Sequence, residues 1–300
     1  MNLWGIDLGG TKIEGAILDP FHPEQTQHRL RVPTGGDQGY DHILSQIETV
    51  VKELETASGT TRPAILGIGT PGATEPTSGV LKNSNTLCLN GQPLRKDLSG
   101  LLGCEVRLAN DANCFALAEA TLGAAVGCRV VMGLILGTGV GGGVVVDAQV
   151  LEGLHGIAGE WGHNPMRGEE TPCYCGKSGC VETVLAGPSL ERFYGQESGE
   201  ELRLPEIAQR AEAGEPRALA TLDRLREKFG EALAVVLNII DPDAVVIGGG
   251  VGNLDLLYET KTREALVRHT FNGELRTRIL KPTLGDSAGV YGAAMLTKAP

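Results

Sequence analysis

Four residues in the middle of the chain have the types and spacing to hold a metal ion. His163, Cys173, Cys175 and Cys180 place one imidazole and three thiols within eighteen residues, enough for a single closed tetrahedral zinc site. Such a site leaves no open coordination position, so its work would be structural, shaping the surrounding loop. A disulfide competes weakly, because Cys173 and Cys175 stand too near for an unstrained bridge to each other. Glu160 and Glu182 flank the four ligands. A filled site has no need of these carboxylates, which leaves them for a polar ligand.

Three glycine loops each follow a strand-like run: Gly9, Gly10, Thr11 and Lys12; Gly137, Thr138, Gly139 and on to Gly143; and Gly248, Gly249 and Gly250. Glycines let backbone N–H groups turn toward one anion and let it come close, as phosphate-binding loops do. Asp7, just ahead of the first loop, is placed to orient Mg²⁺ through water, since that ion keeps most of its hydration. The second loop also satisfies G-x-G-x-x-G, with Glu160 about twenty residues on. A dinucleotide turn must open a helix, however, and Val144, Val145 and Val146 continue as strand, which argues against a dehydrogenase. Asp111 sits where a strand enters a helix, between Asn110 and Asn113. It is the candidate general base, able to accept the proton of an attacking hydroxyl. The competing reading makes Asn110 or Asp111 only the helix N-cap.

The elements that must position these groups follow from periodicity. Strands are predicted at Leu3–Asp7, Ile13–Leu18, Ile65–Thr70, Glu105–Ala109, Ala244–Ile247 and Arg276–Lys281. Helices are predicted over 41–57, from Asn110 to about Ala125, over Pro205–Ala213, Arg217–Ile240 and Asp255–His269, and over Asp286–Thr297. The opening pattern also returns: residues 4–18 and 132–146 align without gaps at an offset of 128, matching Gly5 with Gly133, Leu8 with Leu136, Gly9 with Gly137 and Gly15 with Gly143. A duplicated lobe opening with strand, glycine turn and strand explains the match.

Composition narrows the function. Three hundred residues suit two lobes. A net charge of −11 without a Lys/Arg run argues against a nucleic-acid surface. Cys88, Cys104, Cys114 and Cys128 are scattered and read as buried or half-buried thiols, which fits a reducing cytoplasm. The N-terminus lacks a basic region and reaches Asp7 early, so no signal peptide is expected. Residues 130–146 carry no charge, but six of the seventeen are Gly, and a membrane span is not expected.

Taken together, Asp7-Leu-Gly-Gly-Thr-Lys, Leu136-Gly-Thr-Gly-Val-Gly-Gly-Gly, Gly159-Glu-Trp-Gly-His, the Cys173 to Glu182 motif and Ile247-Gly-Gly-Gly resemble the ROK family of repressors and sugar kinases. The resemblance implies an α/β, actin-like ATPase (ribonuclease H-like) fold, with two lobes around a nucleotide and sugar cleft. Its lobes would comprise 1–117 with 287–300, and 118–286. It also implies ATP and Mg²⁺ as cosubstrate and cofactor, a structural Zn²⁺, transfer to the 6-hydroxyl of a hexose, and a homodimer. By position, Asp111 is similar to the family's base and Asn110 to its sugar-binding neighbour. Glu160, His163 and Glu182 resemble residues that grip the sugar, His163 also binding zinc, and Gly72 and Asn85 lie where further sugar contacts occur. The glycine loops would be two phosphate clamps and a base-side loop. Lys82-Asn-Ser-Asn, Leu89-Asn-Gly-Gln-Pro-Leu and Pro172-Cys-Tyr-Cys look most similar to bacterial fructokinases that also take mannose or glucose. Asp111-Ala-Asn-Cys-Phe-Ala-Leu-Ala-Glu-Ala is shared with N-acetylglucosamine kinases, the alternative, and a glucokinase of the family is a further one. A sugar-sensing repressor is disfavoured, because the first strand begins at Leu3 and the charge is acidic. A sugar-binding protein without catalysis is disfavoured by the presence of Asp7, Asp111 and the loops.

Overall fold

The computed structural model describes residues 2–23 and 25–298; residues 1, 24, 299 and 300 of the expected first lobe lie outside the described residues. Twelve strands are described in chain order. They are β1 (Leu3–Leu8), β2 (Lys12–Leu18), β3 (Thr26–Pro33), β4 (Ile65–Thr70), the short pair β5 (Ala73–Thr74) and β6 (Leu81–Lys82), and β7 (Glu105–Asn110). The rest are β8 (Val130–Leu136), β9 (Val140–Val146), β10 (Gln149–Val150), β11 (Ala244–Gly248) and β12 (Arg278–Leu280). The α-helices are α1 (Tyr40–Ser58), α2 (Leu94–Leu102), α3 (Asp111–Thr121), α4 (Glu182–Leu185), α5 (Gly187–Ser198), α6 (Leu204–Glu212), α7 (Pro216–Ile240), α8 (Gly249–Gly252), α9 (Thr260–His269) and α10 (Ala288–Met295).

Two five-stranded sheets share one plan. The first has the order β3-β2-β1-β4-β7 and the second β10-β9-β8-β11-β12. In the first, β1 to β3 form an antiparallel meander while β4 and β7 join parallel to β1. In the second, β10 pairs antiparallel to β9, and β11 runs parallel to both β8 and β12. The offset of 128 carries the bounds of β2 onto those of β9, so the internal repeat read from sequence is also a repeat of topology. This doubled mixed sheet is the actin-like ATPase fold.

Contacts divide the chain into two compact units. The first runs to Gly127 and adds Gly143–Ala158 and the stretch from Thr283; the second is Cys128–Gly142 with Gly159–Pro282. The sequence reading instead divides it at 117/118 and 286/287. The first core packs Ile43, Ile47, Val50, Val51 and Leu54 of α1 against Trp4, Ile6, Ile13 and Ile17 of the sheet. That helical stripe and the alternating strand positions are the periodicities expected of an amphipathic helix on a sheet. The second core surrounds α7, whose Leu225, Phe229, Leu233 and Leu237 meet Leu134, Leu136, Val245 and Ile247. Among the described residues no helix is long and apolar enough to cross a membrane.

Several predicted bounds are corrected. The helix from Asn110 stops at Thr121, because the Ala124 N–H bonds to the Glu119 carboxylate at 2.8 Å instead of continuing the ladder. Asp255–His269 is two pieces, a 3₁₀ turn over Asp255–Tyr258 and then α9. The last strand is shorter, Arg278–Leu280, and the terminal helix begins with a 3₁₀ turn over Gly285–Ser287 and ends at Met295. Strands β3, β5, β6 and β10 and helices α2, α4, α5 and α8 were not predicted.

Candidate active site and metal centre

The first unit holds two carboxylates at strand ends. Asp7 lies on β1 and pairs in register with Glu14 of β2, which pairs with Arg31 of β3. Glu14 is 1 % exposed and accepts from Arg29 Nε at 2.5 Å and Arg31 Nε at 2.6 Å, with Lys12 Nζ at 3.5 Å. Burial alone would raise its pKa, but the two guanidiniums bring it below the usual range. Among the described residues no guanidinium hydrogen-bonds to Asp7. Burial, then the charges of Asp111 and Glu14, push it up to about 6 against the pull of Lys12 and Arg31. A cation at this carboxylate would relieve both the desolvation and the repulsion, so Asp7 suits a Mg²⁺ role.

The backbone is cut away around Asp7. A Cβ added at Gly289, in the first turn of α10, would lie 2.8 Å from Asp7 Oδ2, and one at Gly69 of β4 would lie 3.5 Å from Oδ1. Gly289 carries no functional expectation from the sequence. The signal that could have found its neighbour, a carboxylate nearly 300 residues earlier in the chain, is absent from any local pattern.

Asp111 begins α3, and the capping question is answered by geometry. Asn110 is the N-cap, its Oδ1 accepting the Asn113 N–H at 2.8 Å. Asp111 is the first helical residue and accepts only the Ala112 N–H at 2.8 Å from a neighbour. Asp111 is exposed as a residue, yet protein crowds its carboxyl. That crowding raises its pKa, against the pull of the Ala112 N–H and its own N–H. A raised carboxylate is a stronger base. Cys114, one turn on, is fully buried, and its thiol is pushed well up by burial and then by both Asp7 and Asp111.

The other expected ligand contacts of this unit surround a pinned loop. Gly72 has φ of 148°, and a Cβ there would lie 2.8 Å from Lys82 O. Asn85 is exposed on a loop that Asn90 holds, accepting from Ser84 N and donating to Ser84 O, each at 2.9 Å. Asn90 was not singled out in the sequence. In the first glycine loop Gly9 N donates to Lys12 O at 2.9 Å, and Thr34 Oγ1 donates to Gly9 O at 2.7 Å. Gly10 and Thr11 are exposed.

In the second unit His163, Cys173, Cys175 and Cys180 converge, their ligand atoms all within 4.8 Å of one another. Cys173 Sγ is 3.6 Å from His163 Nδ1, and Cys175 Sγ is 3.6 Å from Cys180 Sγ. A tetrahedral centre with metal–sulfur bonds of about 2.3 Å sets neighbouring sulfurs about 3.8 Å apart. Two of the pairs already stand near that spacing, so the cluster could hold a metal ion. Irregular backbone builds it: Cys173 N bonds Lys177 O at 2.8 Å, Gly176 N bonds Cys173 O at 3.0 Å, and Gly176 and Gly179 have positive φ. The loop is moored to α7, where Trp161 Nε1 donates to Ala232 O at 3.1 Å and Glu169 pairs with Arg224 and Lys228.

Glu182 turns back to the second glycine loop. Its Oε2 accepts the Val140 N–H at 2.9 Å, and a Cβ at Gly139 would lie 2.6 Å from that oxygen. Gly137 faces open space instead, so the side of this turn beside Gly137 and Thr138 is the one left for an anion. Gly249 has φ of 86° and turns β11 into α8, while Gly250 is open. Glu160 precedes the 3₁₀ turn that carries His163. Tyr174, between two thiols, was passed over in the sequence. Its hydroxyl lies 3.1 Å from His163 Nε2, and its pKa is pushed up to about 12 by desolvation and then by Glu182, Cys173 and Glu160.

Known proteins agree with this fold. A model described as the ROK family matches residues 3–299, and the chain belongs to that family. A protein of Photobacterium profundum named N-acetyl-D-glucosamine kinase is 38 % identical over 304 residues, 98 % of each chain. The solved ROK hexokinase of Thermus thermophilus superposes with a TM-score of 0.88 at 33 % identity, covering 98 % of this chain and 97 % of that one. A ROK family glucokinase of Streptomyces griseus, solved with glucose and AMPPNP, gives 0.77 at 27 % identity over 99 % of each.

Proposed function

We propose that this protein transfers the terminal phosphoryl group of ATP to the 6-hydroxyl of a hexose, with N-acetylglucosamine ahead of fructose as the acceptor. The observation that carries the reading is Asp111: a carboxylate at a helix start, free of the capping task and raised toward a useful basicity by its surroundings. In the proposed mechanism it accepts the hydroxyl proton as the oxygen attacks phosphorus. Asn110, Gly72 and Asn85 are proposed to orient the sugar, and Glu160, His163 and Glu182 to bind its hydroxyls. The amides of residues 9–12 and 137–139 hold phosphates, and residues 248–250 line the base. Asp7 would hold Mg²⁺ through water, and the ion would supply charge neutralisation at the phosphates. His163, Cys173, Cys175 and Cys180 would hold Zn²⁺, which would brace their loop; with Nδ1 so engaged, His163 Nε2, now 3.1 Å from the Tyr174 hydroxyl, would carry the N–H offered to that hydroxyl or to sugar.

The preference for an acetamido sugar is supported by the name of the Photobacterium relative and by the sequence of α3. Fructose is favoured by the loop around 82–94 and by Pro172-Cys-Tyr-Cys. A panel of hexoses and N-acetylhexosamines in an ADP-release assay decides between them. The expected result is the highest kcat/KM on N-acetylglucosamine; a higher value on fructose reverses the order, and no release on any sugar ends the reading.

A further inference from the structure

The mechanism leaves one fully buried carboxylate unused. Glu119, near the end of α3, is 0 % exposed, and among the described residues no cation hydrogen-bonds to it. Its Oε2 accepts from Ala124 N at 2.8 Å, Thr283 N at 3.2 Å and Thr283 Oγ1 at 3.5 Å, and its Oε1 accepts from Thr283 N and Leu284 N, each at 3.1 Å. A charge taken out of water costs several kcal/mol unless other groups replace its hydration, and backbone amides do so here. Every partner is a donor. Glutamine has the same shape but a single acceptor oxygen, and its NH₂ would face N–H groups.

The donors at 283 and 284 belong to the strap that leads through Gly285–Ser287 into α10. That helix opens with Gly289 against Asp7, and at Gly292 it lies directly on the backbone of Cys114 in α3. Asp111 begins α3, eight residues before Glu119, or about 12 Å along the axis. One side chain therefore ties the helix carrying Asp111 to the segment that abuts Asp7.

We propose that Glu119 is a positioning residue that fixes the spacing of Asp7 and Asp111; the proposal rests on the roles given to those two carboxylates above. Phosphoryl transfer is sensitive to sub-ångström placement, whereas sugar affinity is shared among many contacts, so loosening the strap falls mainly on turnover. Gly123 supplies an independent handle, because a Cβ there collides with the Glu119 carboxylate.

The test compares wild type, Glu119→Gln and Gly123→Ala. Both variants are expected to lower kcat per folded molecule by about tenfold to hundredfold, with the sugar dissociation constant, measured calorimetrically without nucleotide, changed less than about threefold. Combined, they are expected to cost little more than either alone, since both act on one carboxylate. Glu119→Gln with wild-type kcat per folded molecule overturns the proposal, as does a loss matched by an equal loss of sugar affinity. Hydrogen exchange supplies a readout that needs no activity: amides of Thr283, Leu284 and the first turn of α10 are expected to exchange faster in Glu119→Gln, and unchanged exchange there overturns the anchor. A wild-type protein that phosphorylates no sugar counts against the functional reading alone, because the exchange result stands apart from it.

Discussion

The two glycine hairpins share a frame and differ in nearly everything chemical. At the offset of 128, Asp7 corresponds to Ile135, Lys12 to Val140 and Glu14 to Gly142. The first hairpin thus carries its own charges, held by β3 through Arg29 and Arg31. The second carries none, and its turn receives a carboxylate from Glu182, which arrives with the Cys/His loop. One half places its charged functional groups, Asp7 and Asp111, on regular elements. The other places them on irregular backbone whose ligand atoms converge on a metal-sized gap. The fold supplies position, and the grafted residues supply chemistry.

The largest expected effect tests the first half. Asp111→Asn is expected to lower kcat by on the order of 10² or more while sugar binding persists in calorimetry; near-normal turnover would remove the base from the account. The second half is tested by its metal. About one equivalent of zinc per chain is expected by metal analysis, and Cys175→Ser is expected to lose it together with about tenfold or more in sugar affinity. Hydrogen exchange sharpens the contrast: on chelation, protection is expected to fall over 164–181 and to hold over 3–18. Equal loss in both stretches would erase the distinction.

Asp7 gives a smaller effect with a sign of its own. Its folded pKa of about 6 lies above the ordinary 3.8, so between those values the folded protein binds more protons than the unfolded chain. Its contribution to stability is thus greatest below about pH 4 and is lost as pH rises through about 6. Asp7→Asn is therefore expected to stabilise the ligand-free protein at pH 7.5 by on the order of 1–2 kcal/mol, allowing for partial solvation. The gain should shrink toward zero near pH 4 in denaturant titrations. No such pH dependence is expected from Ile135. The smallest effect is Gly139→Ala, which displaces the flexible end of Glu182. The expected outcome is a KM for sugar raised a few-fold with Tm nearly unchanged; a large fall in Tm would mean that the turn itself is broken.

Much of this was legible in the sequence where the signal is local. The hairpin glycines, the α1 stripe and the strand at 65–70 follow from short-range pattern, and so does the convergence of His163 with three cysteines. What stayed hidden depends on partners far along the chain. Strand β3 reads as polar, because its Arg29 and Arg31 find their reason only in Glu14 across the sheet. The early end of α3 depends on Glu119 accepting Ala124 N–H, and the need for Gly289 depends on Asp7. Tyr174 gave no signal because its neighbours, His163 and Glu182, meet it only once the loop has closed.

Strand β3 has one more consequence. It is the outermost strand of its sheet among the described residues, and such a rim invites another extended chain to dock. Its outward positions are Gln27, Arg29, Arg31 and Pro33, so an incoming strand would meet two cations and then a residue with no amide proton. The arginines that neutralise Glu14 thereby also guard against self-association, and replacing both with valine should leave a protein that sticks to itself before it unfolds.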